Sequence, residues 1–213
     1  MLYVKQFTFN MFEVHTYVVY EPTTREAAII DPGMISGSEV KQLDDFIAHN
    51  QLTVKHLINT HLHIDHALGD GYVRNKYGVQ VKGHIDDGFL GENLPSQAAM
   101  FGLGVEANEI SIEINLKEGE MGMLGDESVL VIHVPGHSPG SIVLYSPANH
   151  FLIGGDVIFK NSIGRTDLPG GSQRALLENI NKKILSLPPE TVIYPGHGPA
   201  TTVGEESTYN PFL

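Results

Sequence analysis

Apolar and polar residues alternate with a period of two along Tyr3-Val4-Lys5-Gln6-Phe7-Thr8-Phe9, the pattern of a half-buried β-strand. Thr16-Tyr17-Val18-Val19-Tyr20 and Ala27-Ala28-Ile29-Ile30 predict two more strands, separated by a turn at Glu21-Pro22-Thr23-Thr24. Such short connections predict an antiparallel meander. The period then changes: Val40, Leu43, Phe46 and Ile47 share one helical face, with Ser38 as its cap and an end near Asn50. Val54-Lys55-His56-Leu57-Ile58-Asn59 predicts a strand, Ala67 to Tyr77 a helix stopped by Gly78, and Val79-Gln80-Val81 a short strand.

From Asp86 to Leu103 several glycines, one proline and no strand period predict short helices or a loop, which either covers a site or merely connects. Lys117-Glu118-Gly119-Glu120 and Gly125-Asp126 predict hairpin turns. Strands are expected at Ser128 to Val134, Ser141 to Tyr145, Phe151 to Asp156 and Thr191 to Tyr194. Between the last two, Leu176, Leu177, Ile180 and Ile184 share a face of a helix from Ala175 to Leu187, stopped by Pro188-Pro189. No linker interrupts this series, so residues 1–213 are expected to form one α/β domain.

Composition narrows the function. Hydrophobic residues make up 41% and charged residues 18%, which suits a soluble globular chain with a substantial core. The net charge of −12, without a cluster of Lys or Arg, argues against a nucleic-acid partner and leaves a small molecule as the expected ligand. Zero cysteines exclude disulfides, a thiol nucleophile and thiolate metal ligands, so any metal site must use histidines and carboxylates. Met1 to Gln6 lacks a basic segment leading into an apolar one, and no run reaches the roughly 20 apolar residues of a membrane span. A cytoplasmic protein with no membrane partner is expected.

The chemistry concentrates in Thr60-His61-Leu62-His63-Ile64-Asp65-His66, directly after a predicted strand. In extended chain His61 and His63 point the same way, whereas Asp65 and His66 must turn back from the loop or first helical turn. Imidazole and carboxylate donors so arranged suit two neighbouring metals better than one. Three further predicted strands run into donors, at Pro135-Gly136-His137, Gly154-Gly155-Asp156 and Pro195-Gly196-His197. Alone, His137 or His197 could be a turn residue; repeated beside the first cluster, they point to one site where strand ends converge. Asp31, at another strand end, either orients a histidine or forms a turn.

The ordered series THLHIDH, Pro-Gly-His, Gly-Gly-Asp and Pro-Gly-His, spanning Asp31 to His197, resembles the metallo-β-lactamase superfamily. The resemblance implies an αββα sandwich, two mixed β-sheets face to face with helices outside and the site at one sheet edge. It also implies that His61, His63 and His137 hold one metal, that Asp65, His66 and His197 hold a second, and that Asp156 bridges them. Two zinc ions are expected, with iron or a zinc/iron mixture as the alternative. Asp156, Gly164-Arg165-Thr166-Asp167 and Tyr209-Asn210-Pro211-Phe212 are most similar to the short bacterial glyoxalase II-type hydrolases. Those cleave acyl thioesters such as S-lactoylglutathione with a metal-bound hydroxide. Full-length glyoxalase II carries an added C-terminal helical domain that supplies much of its glutathione site, and the residues after His197 do not resemble it, so a weak demand for glutathione is expected.

Two divalent ions bring +4 and Asp65 with Asp156 return −2, which favours hydroxide and an anionic substrate. Asp65 could steer a proton as well as bind metal. Arg165 is either a clamp on a substrate carboxylate or the partner of Asp167 in holding the loop. Lys160, Tyr145 and Tyr194 are weaker substrate-binding candidates, and His15, His49, His56, His84, His133 and His150 are expected to be structural. The HxHxDH and Gly-Arg-Thr-Asp motifs also resemble persulfide dioxygenases, in which one iron would be held by His61, His137 and Asp156. Lactone or phosphoester hydrolysis, and metal binding without catalysis, are the remaining alternatives.

Overall fold

A computed structural model describes residues 1–105, 107–119 and 121–213. Its first sheet runs in chain order: β1 (Tyr3–Phe9), β2 (Val14–Tyr20), β3 (Glu26–Ile30), β4 (Thr53–Ile58), β5 (Val81–Gly83) and β6 (Ile114–Asn115). Pairing is antiparallel through β3 and parallel thereafter, so the expected meander is present. The later strands are β7 (Met121–Leu124), β8 (Glu127–His133), β9 (Ile142–Ser146), β10 (Phe151–Gly155), the short hairpin β11 (Ile158–Phe159) with β12 (Ser162–Ile163), β13 (Val192–Pro195) and β14 (Thr201–Thr202). The second sheet has the order β14-β13-β10-β9-β8-β7, with β10 and β13 parallel.

The period of two sorts side chains into layers. Along β2 and β3, Val18, Ala27 and Ile29 face the helices α1 (Gly37–His49) and α3 (Asp70–Tyr77), while Tyr17, Val19, Ala28 and Ile30 face the other sheet. In β9 and β10, Ile142, Leu144, Phe151 and Ile153 meet them between the sheets, and Val143 and Leu152 turn outward to α6 (Gln173–Asn179) and α7 (Val203–Tyr209). Both faces of both sheets are therefore buried, giving the αββα sandwich. Each fully buried Leu or Ile in these layers contributes roughly 1.5–3 kcal/mol relative to exposure.

Local differences from the sequence expectation have physical reasons. Ser36, not Ser38, caps α1, because Glu39 three positions on closes a capping box with it. The helix expected from Ala67 to Tyr77 is two, α2 (Ile64–Ala67) and α3, since the Gly69 N–H donates to the Pro32 carbonyl at 2.6 Å instead of continuing the ladder. Gly78 does stop α3, in a left-handed conformation. The strand expected at Val79 begins only at Val81, where pairing with Leu57 of β4 starts. The helix from Ala175 is shorter as α6, continues as a π turn over Ile180–Ile184, and keeps Leu176, Ile180 and Ile184 on its buried face. Residues 86–103 hold α4 (Gly88–Glu92) and α5 (Leu94–Met100). The turn at Gly125-Asp126 joins β7 to β8; Glu120 lies outside the described residues.

Hydrogen bonds sew the sheets together at the edge where the donor-bearing strands end. The Ile142 N–H donates to the Thr60 carbonyl at 2.9 Å, and the Tyr17 hydroxyl donates to the Pro195 carbonyl at 2.6 Å.

Candidate metal centre

His61, His137, Asp156 and His197 each follow the carboxyl end of a strand, β4, β8, β10 and β13 respectively. The chain stays extended through His63 and then enters α2, so Asp65 and His66 turn back in its first turn toward His61. Three ring nitrogens converge: His137 Nε2 is 2.8 Å from His63 Nδ1 and 3.1 Å from His61 Nε2. A second group forms beside it, with Asp65 Oδ2 3.2 Å from His197 Nε2 and 3.7 Å from His66 Nε2. Asp156 lies between them, Oδ1 at 3.4 Å from His66 Nε2 and Oδ2 at 3.6 Å from both His137 Nε2 and His197 Nε2. All seven donors singled out in the sequence are thus brought together.

The outer nitrogens of four rings meet acceptors, which settles where the lone pairs are. His137 Nδ1 donates to the Arg165 carbonyl at 2.7 Å, His197 Nδ1 to the Phe12 carbonyl at 3.0 Å, and His66 Nδ1 to Asp31 Oδ2 at 3.0 Å. His61 Nδ1 donates to the Thr60 hydroxyl at 3.1 Å, which is itself committed as a donor to Asp31. Each Nε2 of these four rings is therefore available inward. Asp31 both turns the chain, at φ 51, and orients a histidine, so its two sequence readings hold together.

Burial, and then the neighbouring rings, push His61 well below the ordinary imidazole range and His63 down to about 3, so both stay neutral. His66 goes the other way: burial opposes its charge, but Asp156, Asp65 and Asp31 outweigh that and raise its pKa well above the ordinary imidazole range, so a cation bound at Nε2 would have to displace a proton there. Asp156 is kept ionised against its burial by His66, His137 and His197. Buried His66 Nε2 and Asp156 Oδ1 have no hydrogen-bond partner among the described residues. A side chain at Gly196 would bring its first carbon within 2.1 Å of Asp156 Oδ1 and 2.7 Å of the His66 ring, so glycine keeps this corner open. Converging imidazoles and carboxylates, with Asp156 Oδ1 unsatisfied and no thiolate, fit divalent cations such as zinc or iron.

The donors open onto a pocket of about 430 Å³ walled by Phe12, Phe101, Phe159, Ile163 and Leu168. Arg165 lines it, but its guanidinium is forked onto Asp167 at 2.7 and 2.8 Å, and its carbonyl is what touches the site. Tyr145 does not line it: on β9 it faces the outer helical layer and is buried there, which corrects its assignment to substrate binding. Lys160 also lies off the pocket, beside Glu205 at 4.0 Å on the surface. Sequence reasoning missed Phe12 and Asp87. The buried Asp87 carboxylate accepts from the Ser138 hydroxyl and the N–H groups of Gly140 and Leu62, tying the His137 loop to the His61 segment. No local motif marks it. His84 and His133 stack with centroids 3.9 Å apart and planes 14° from parallel, and with Asp86 they form a separate cluster of ligand-type atoms.

The sequence profile of the metallo-beta-lactamase superfamily matches residues 10–197, and the chain belongs to that superfamily. Hydroxyacylglutathione hydrolase GloC of Haemophilus influenzae is 38% identical over 191 residues, covering 89% of this chain and 88% of its own. The human mitochondrial persulfide dioxygenase ETHE1 is 27% identical, over 96% of this chain and 74% of its own. Among solved structures, BLEG-1 B3 metallo-beta-lactamase superposes with a TM-score of 0.88 at 35% identity, over 100% of this chain and 99% of that one. TTHA1623 in a di-iron-bound form gives 0.87 at 33% identity, over 99% and 100%. The fold and the donor set make the protein a metallo-hydrolase superfamily enzyme that uses a divalent metal.

Proposed function

We propose that the chain hydrolyses acyl thioesters, 2-hydroxyacyl thioesters above all, at a pair of divalent ions that are mainly zinc. The observation that carries this is the position of Asp156, whose two oxygens face the two donor groups at 3.4 and 3.6 Å. A site for one ion would leave Asp65 and His66 without a ligand role. Kinship with GloC, a hydroxyacylglutathione hydrolase, supports the thioester class. Two ions held there would supply a Lewis acid for the carbonyl and water of lowered pKa.

The protein's own groups do the rest. His61, His66, His137 and His197 have their inner nitrogens aimed at the site, since the outer nitrogen of each is engaged. Asp65, partly open to the pocket and 3.2 Å from His197 Nε2, is positioned to take a proton from the attacking water and pass it to the leaving sulfur. Phe12 and Phe101, packed edge-on at 5.6 Å, present an apolar wall to the reacting carbon. The test is elemental analysis of protein purified without added metal, paired with turnover of a thioester panel. Two ions per chain and hydrolysis of a lactoyl thioester are expected. One iron per chain with oxygen uptake on a persulfide would assign the dioxygenase instead, a reading favoured by the likeness to ETHE1 and by the contact of His61, His137 and Asp156.

A further inference from the structure

We propose that a compartment beside the metal pocket receives an apolar arm of the substrate, so that the preferred substrates carry an alkyl or aryl chain rather than a charged peptide. The choice of thioesters as those substrates rests on the function proposed above. The compartment, about 240 Å³, lies between α4, α5 and Leu168-Pro169, and borders the metal pocket across three shared walls, His63, Phe101 and Leu168. A molecule whose carbonyl lies at the metals need pass only these side chains to extend into it.

The chemistry of the walls selects the occupant. Phe89, Leu90, Met100 and Pro169 are apolar, and no charged side chain lines the compartment among the described residues. Of its polar members, Ser96 stands exposed and His63 Nε2 has no partner among the described residues, whereas Gln97 and Asn93 are engaged. Gln97 Oε1 accepts from the Ile64 N–H at 3.0 Å and its Nε2 donates to the Leu90 carbonyl at 2.9 Å, while Asn93 Nδ2 donates to the Phe89 carbonyl at 2.7 Å. The carboxylates and ammonium of a peptide thiol would lose water there without gaining an oppositely charged partner, which is costly. An apolar arm gains instead. Met100, Phe101 and Phe89 stand 70%, 40% and 39% exposed at the mouth, a concentration of large apolar side chains that a ligand can cover. Met100, unbranched and polarisable, can adapt to chains of different shape.

The test uses metal-loaded protein and three probe series. Calorimetry with straight-chain carboxylates from butyrate to decanoate should show Kd falling about threefold to fourfold per added methylene until the compartment is full. Met100→Asp or Phe89→Asp should flatten that slope. The same slope should appear in kcat/KM for one of two thioester series, varied alkyl thiols on a lactoyl group or varied acyl chains on a small thiol, and the responding series identifies which end of the substrate is the arm. Binding that is independent of chain length, or preference for the glutathione ester over an octanethiol ester, overturns the compartment. Length-dependent binding without turnover of any thioester leaves the compartment standing and overturns the thioester function.

Discussion

Asp31 Oδ2 stands 3.0 Å from His66 Nδ1 while the same carboxylate accepts the Thr60 N–H at 2.7 Å and the Thr60 hydroxyl at 2.6 Å. All three neighbours are donors, and the two they belong to flank the cluster from opposite ends. One carboxylate thus sets the orientation of His66 directly and of His61 through Thr60.

Asp31→Asn should therefore loosen the metal without touching it. An amide keeps the shape and tolerates φ 51, but it offers one acceptor where three donors converge. Metal affinity should fall about 10- to 100-fold, the range seen when a group behind a ligating histidine is lost. Competition with a chromogenic chelator reads it, and an unchanged affinity would remove Asp31 from the site.

Gly155→Ala should be far more damaging than Gly78→Ala. Both glycines have positive φ, +48 and +66, so both substitutions carry backbone strain. Only at Gly155 would the new carbon meet anything, at 2.3 Å from Thr60 Oγ1 and 2.8 Å from Thr60 Cβ. Chemical denaturation should show the Gly78 variant losing about 1 kcal/mol and the Gly155 variant clearly more, with metal binding impaired only in the latter.

Asp70 gives the fold a pH dependence. It is fully buried, Oδ2 has no partner among the described residues, and burial, with Asp31 nearby, raises its pKa well above the usual carboxylate range against the opposing Asn59 and His66. A folded-state pKa above the unfolded value near about 3.9 means the stability contribution is complete below that pH and is lost as pH rises through the folded value. Asp70→Asn keeps an oxygen for the Asn59 amide, 3.1 Å away, and removes the ionisation. Urea denaturation should find the variant equal to the parent near the lower limit and increasingly more stable toward neutral pH. A difference that does not change with pH would show that Asp70 does not titrate.

His61, His137, Asp156 and His197 were legible because each sits within a few residues of a strand's end, which period-two patterns mark best, and His63, Asp65 and His66 were legible from their crowding beside His61. Asp31 was legible by the same rule. Ser36 was in principle legible as well, through Glu39 three positions on. Gly69 and Asp87 were not: one is broken out of its helix by the Pro32 carbonyl, the other gathers donors from Leu62, Ser138 and Gly140, and neither partner set lies nearby in sequence. Tyr145 misled for a related reason. In a four-layer sandwich both faces of a strand are buried, so its alternation does not say which face looks at the site. The apolar compartment was hidden too, being assembled from α4, α5 and Leu168-Pro169.

Arg165 offers the sharpest separation of two roles carried by one residue. Its carbonyl accepts from His137 Nδ1 at 2.7 Å, a contact that any side chain at this position preserves. Its guanidinium, more than half exposed, is held in a two-bond fork by Asp167, whose own pKa is lowered to about 2 chiefly by that contact. With both faces of the fork engaged, the side chain holds the loop that carries the carbonyl instead of reaching for substrate. Arg165→Ala should then leave KM for anionic and neutral thioesters within about twofold of each other's change, well under 1 kcal/mol. It should reduce kcat and metal affinity modestly as the His137 support loosens, and Asp167→Asn should reproduce the pattern although it leaves the positive charge in place. A KM increase confined to anionic substrates in Arg165→Ala, absent from Asp167→Asn, would instead make the guanidinium a carboxylate clamp that leaves Asp167 when substrate arrives.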